Sequence, residues 1–178
     1  MSASTSAFWR FSLRFYARAE VASTCLTLQD RHGADVNLLF FLLFLSSHQR
    51  RLTPTEVQRI DRATAAWRTR AVQPLRALRR DLKNGVASMD AQATEALRTE
   101  IKRCEMHAER LQQEMLERAF PASSMGETSS VKDAAAANIA AYGAVRGAVS
   151  GALPEGPVQS LLRLFGEEFG DEHVARRQ

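Results

Sequence analysis

The chain has 178 residues, 45% of them apolar and 25% charged, proportions of a globular protein long enough to bury a core of its own. Its apolar run at 38–45 is far short of the roughly 20 residues needed to span a bilayer. The two cysteines show neither a CxxC nor a secreted-disulfide spacing, so a cytoplasmic location is expected. The formal charge of +4 is unevenly spread: ten basic residues meet three acidic ones over 50–83, and the rest lies close to balance.

Apolar periodicity is helical throughout, and no strand is predicted. The first helix, about 6–18, lines Phe8, Phe11, Ser12 and Phe15 along one side, with Trp9, Leu13 and Tyr16 beside them. Arg10, Arg14 and Arg18 form a polar stripe. So wide an apolar arc predicts a core helix; the alternative is peripheral contact with an anionic membrane through the three arginines. No signal-peptide pattern opens the chain, although its Ser- and Arg-rich, acid-poor start has the composition of a transit peptide.

The second helix, about 20–32, turns Val21, Cys25 and Leu28 inward. Gly33 suits the left-handed residue that ends it. Asp35 suits the N-cap of a third helix, 36–47, which is apolar nearly all round and is expected at the centre. Thr53, Pro54 and Glu56 then read as a capped helix start. The seam that follows is Val57, Ile60, Thr64, Trp67, Ala71, Leu75, Leu78 and Leu82, with a kink at Pro74 and a stop at Asn84-Gly85.

Asp90 caps a second long helix reaching about 120, with Leu97, Ile101, Cys104, Ala108, Leu111 and Met115 as its seam. The two form an antiparallel hairpin over 53–120, inside a helical core of 1–120. Both cysteines are expected to be small core residues. Residues 121–130 read as a flexible linker, 131–170 as two helices docking on the core, and 171–178 as a disordered tail. The predicted fold class is all-α, a compact bundle of six to seven helices.

With these elements laid out, FWRFSLRFYARAEVASTCLTLQDRHGADVNLLFFLLFL resembles the opening of a proteobacterial family of small uncharacterised proteins. The likeness continues through Trp67, PLRALRRDLK (74–83), IKRCEMHAERLQQE (101–114) and NIAAY (138–142). The stretch CLTLQDRHGADVN is its most specific part, and Glu105-Met106 is a mild departure where the pattern has a glutamate-leucine step. The resemblance implies a bacterial, cytoplasmic, all-helical protein, and it implies no activity.

None of the signatures GxGxxG, GxxxxGK[ST], HExxH or GxSxG is present, nor a Glu-x-x-His pair for a bundle di-metal site. One cluster stands out. Asp30, Arg31, His32, Asp35 and Asn37 lie within eight residues, directly before the apolar third helix. They are candidates for binding a ligand or partner, or for a structural polar network. No metal site is assigned and no cofactor is expected; if there is one, the oxygen donors suit a divalent cation such as Mg²⁺.

The other candidate surface is a basic face formed by Arg62, Arg76, Arg80 and Lys83, opposite the seam. The function expected first is a non-catalytic interaction or accessory protein that meets another protein through that face or the 30–37 turn. The alternatives are a helical protein or enzyme binding a small molecule, a diphosphate or a metal, and binding of nucleic acid or an anionic membrane. Nucleic acid is disfavoured, since the face carries no interleaved aromatic residues. The sequence leaves the oligomeric state open.

Overall fold

The computed structural model describes residues 6–170, and the backbone alone for 148–150. It is an all-α bundle. Helix α3 (Val36–Ser47) is its axis: with Leu or Phe at eight consecutive positions, 38–45, it has no polar side to offer water and is buried all round. Helices α1 (Ala7–Tyr16), α2 (Ala19–His32) and α7 (Val131–Ser150) pack on it, and α8 (Glu155–Phe169) closes over α1 and α2.

Eight of the nine phenylalanines meet where α1, α3 and α8 converge. Phe8 sits 5.1 Å from Phe41 and 5.3 Å from Phe44, ring centre to ring centre, and Phe11 sits 4.6 Å from Phe169. Each such fully buried side chain contributes about 1.5–3 kcal/mol. Two arginines of the predicted stripe meet α8: Arg14 reaches Glu168 at 2.7 Å, and Arg18, just past the end of α1, reaches Glu167 at 2.8 Å. No helix among the described residues is long and apolar enough to cross a membrane.

Helix α7 holds both ends of α3. Asn138, fully buried, donates to the Leu42 and Arg50 carbonyls and to Ser46 Oγ, and accepts from the Leu52 N–H at 2.7 Å. One turn later the Tyr142 hydroxyl accepts from the Asp35 N–H at 3.0 Å.

The long hairpin pairs α4 (Pro54–Trp67) and α5 (Gln73–Asp81) with α6 (Ala91–Ala119). The expected kink at Pro74 takes the form of one π-helical turn, Arg68–Val72, in which the Gln73 N–H reaches back to the Arg68 carbonyl. The wider turn shifts the inward face by one residue. Where the seam predicted Ala71, Leu75 and Leu78, the structure turns Val72, Arg76 and Arg79 toward α6, and Leu78 is left half-exposed. Arg76 therefore leaves the basic face to which it had been assigned.

Helix α6 answers with a shifted face of its own. Ile101 and Ala108 are buried as predicted and Met115 partly so, beside the fully buried Leu116, but Glu105 and Gln112 take the places expected for Cys104 and Leu111. Cys104 is exposed, so it is no core residue; Cys25 is buried. An acid-and-amide face suits α6 because its neighbour presents arginines.

A two-residue antiparallel ladder joins β1 (Arg50–Arg51) to β2 (Glu127–Thr128), a detail the helical periodicity does not contain. Strand β2 belongs to the segment 121–130, predicted as a flexible linker and here fastened at several points. Met125 is buried, and the Gly126 N–H donates to Glu56 Oε1 at 3.1 Å. Gly126 has φ +57°, and a Cβ there would lie 2.3 Å from the Arg51 carbonyl oxygen, so only glycine fits. The tail predicted over 171–178 lies outside the described residues.

Candidate functional site

Gly33 adopts the left-handed conformation that ends α2, and Asp35 Oδ1 accepts the Leu38 N–H at 3.2 Å, so the turn places Asp35 and Asn37 at the buried start of α3. Asp35 Oδ2 accepts from Arg68 Nη1 and from Gln112 Nε2, both at 3.0 Å. A carboxylate can only accept, and this fixes the direction of every amide beyond it. Gln112 must turn its nitrogen to Asp35, so its oxygen accepts from Asn37 Nδ2 at 3.2 Å. Asn37 Oδ1 then accepts from Gln113 Nε2 at 2.7 Å. The chain of bonds ends at Gln113 Oε1, which is buried and has no partner.

That relay runs between two clefts. The first, about 360 Å³, lies between α1, α2, α5 and α6. Ser12, Asn37 and Gln113 line its floor, and half-exposed Leu13, Tyr16, Leu26 and Met106 form its rim. Ser12 Oγ, like Gln113 Oε1, is buried without a partner. The second cleft, about 470 Å³, is lined by Asp30, Asp35, Arg68, Arg80 and Asp81. Arg76 and Gln29 border both.

The charges between the clefts are paired. Glu105 accepts from Arg76 Nε at 3.0 Å and from Arg79 Nε at 2.5 Å, and Glu109 accepts from Arg76 Nη2 at 2.5 Å. Burial pushes the Glu109 carboxyl above the ordinary glutamate range, against the pull of Arg76. Arg68 also bridges to Asp61 at 2.8 Å. The inward-facing Arg68 sits at the start of the π turn, a feature common where helices carry function.

The turn residues divide. Asp35 and Asn37 join through Gln112, whereas Asp30 forms a more exposed pair with Arg80 at 2.9 Å. Arg31 is exposed, and His32 takes part through its carbonyl, which accepts from Arg146 Nη2 at 2.8 Å. Arg62 and Lys83 are exposed. Among the described residues, no group of three His, Cys, Asp or Glu side chains could hold a metal ion. Ser12, Arg68, Gln112, Gln113 and Glu105 were invisible to motif reading, because they come together only across helices.

The cleft offers recognition chemistry more readily than bond-making chemistry. Among the described residues, no base lies within hydrogen-bond distance of Ser12 Oγ to activate the hydroxyl as a nucleophile. Burial pushes the Cys25 thiol, also in the lining, up to about 12, which leaves it un-ionised near neutral pH. The Tyr142 phenol is raised to about 12, first by burial and then by the Asp35 charge, and stays a neutral hydrogen-bonding group.

No match was found among curated proteins or among solved structures. The family described as "Protein of unknown function (DUF2390)" matches residues 7–116, a span that holds the whole relay from Asp35 to Gln113 and stops short of the NIAAY stretch. The chain belongs to that family.

Proposed function

We propose that the chain is a cytoplasmic, non-catalytic binding protein whose recognition site is the cleft between α1, α2, α5 and α6. The observation that carries this reading is the pair of unpartnered oxygens, Ser12 Oγ and Gln113 Oε1, on residues each 4% exposed and lining one cleft. Leaving such a group unpaired costs about 1–3 kcal/mol, and native interiors do so rarely. Both lie sealed beneath the lining, and a bound molecule that displaces that lining would satisfy both. The half-exposed rim supplies apolar area for the same occupant.

Native mass spectrometry of protein isolated gently from its own cells tests the reading. Wild type is expected to carry an extra mass that Leu26→Arg, a charge set on the half-exposed rim, removes. Bare protein in both preparations overturns it.

A second reading, a protein partner, is favoured by a different surface. Val86 and Met89 in the hairpin loop, with Leu78 and Leu97 on the flanking helices, are half-exposed apolar side chains. Under this reading a partner that copurifies with wild type is lost from a Met89→Glu, Leu97→Glu double variant, and retention of that partner sinks it.

A further inference from the structure

Resting on the cleft reading above, we infer that the ligand is a small, neutral, planar heterocycle carrying an N–H donor. Its ring lies among Trp9, Tyr16 and Phe40, and its N–H is given to Gln113 Oε1. The donor requirement follows from the direction of the relay. Each amide from Gln112 to Gln113 is oriented by the Asp35 carboxylate, so flipping Gln113 would set its oxygen against Asn37 Oδ1. The relay therefore ends in an acceptor sealed beneath the cleft lining, and its complement is a donor that reaches it as the lining gives way on binding.

Charge decides that the donor is neutral. An anion would meet the acceptor end of a chain anchored on a carboxylate. Arg76 and Arg79 offset Glu105 and Glu109, so a cation would meet the added positive charge of Lys102 with no acid left to receive it. Shape and lining decide the rest. Aromatic rings prefer offset or edge contact with other rings, and the Met106 thioether adds a soft, polarisable contact. A cavity of about 360 Å³ lies at the small end of ligand pockets and fits a bicyclic ring better than a dinucleotide. Ser12 Oγ, which can donate or accept, suits a second heteroatom.

The test uses indole and 1-methylindole as probes, which differ by the N–H alone. The full ¹⁵N-labelled chain is titrated with each, and the side-chain amide resonances of Gln113 are followed. Indole is expected to bind saturably and to move those resonances, 1-methylindole to bind on the order of tenfold more weakly or worse, and Leu26→Arg to lose indole. Equal affinity for the two probes overturns the donor assignment and leaves the cleft reading standing. No saturable indole binding, or binding untouched by Leu26→Arg, overturns the inference, and the cleft reading is then decided separately by the native mass measurement.

Discussion

On the side of α3 that faces α1 and α8, the interior is dry: eight phenylalanines and a run of leucines pack with little polar content. On the side that faces α5 and α6, the interior holds two acids, three arginines and three amides in two bonded sets, one around Asp35 and one around Glu105. The dry half derives its stability from area removed from water and is indifferent to the direction of any one group. The wet half gains less per residue but fixes direction, so a single carboxylate at the start of α3 dictates which atom Gln113 of the neighbouring α6 leaves over. A binding site needs direction, and both unpartnered oxygens lie where the wet half meets the first cleft.

The contrast breaks first, and hardest, at Phe41. It is fully buried and packs against both Phe8 and Phe44. Phe41→Ala is expected to cost about 3–5 kcal/mol in urea unfolding, through lost transfer energy and a cavity that rigid neighbours cannot close. A loss below about 2 kcal/mol would show that the dry half relaxes readily. In the wet half, Glu105→Ala leaves Arg76 and Arg79 facing each other without their shared acid. Breaking a buried pair costs about 3–5 kcal/mol, but both arginines retain some solvent contact, so about 2–3 kcal/mol is expected here. Indole binding in this variant separates the two roles of Glu105: if it persists, the ion pairs are scaffold only.

The same contrast explains which parts could be read from the sequence. Hydropathy carries the dry half, so α3 was legible from its apolar run, and the caps at Asp35, Thr53 and Asp90 were legible from local side-chain chemistry. The turn at 30–37 was legible as a place of interest, and Asp35 and Asn37 do head the relay. Its partners were not. Gln112 and Gln113 look like surface residues in a seam drawn through Leu111 and Met115, and nothing local says that the face of α6 is turned by one residue. In α5 the cause is identifiable: Pro74 announced a distortion, but only its π form, with one extra residue per turn, brings Arg76 and Arg79 inward. Apolar periodicity cannot find an interface built from charges.

Glu109 sharpens the comparison through pH. Burial raises its carboxyl above the ordinary range, so the folded state holds that proton more tightly than the unfolded chain. The stability this gives is fully present below the unfolded value and is lost as pH rises through the raised folded one. Glu109→Gln keeps a hydrogen-bonding group beside Arg76 and removes the titration. Urea unfolding at a series of pH values is expected to show the variant gaining on wild type as pH rises across that window. A difference that stays flat with pH would mean that Arg76 compensates the burial fully.

The smallest expected effect is the most informative about the cleft. Ser12 Oγ is buried, lies in a helix and has no partner, so its hydroxyl contributes only desolvation cost to the fold. Ser12→Ala removes that cost and adds helix propensity, so it should raise stability by about 0.5–1 kcal/mol, visible as an upward shift of the urea midpoint with the slope unchanged. Residues kept for packing lose stability when truncated; a residue kept to meet a ligand can gain it. If Ser12→Ala instead destabilises, the hydroxyl is satisfied within the fold, and the dry half extends to the floor of the cleft. If it stabilises and weakens indole binding together, the boundary between the two interiors is the binding site.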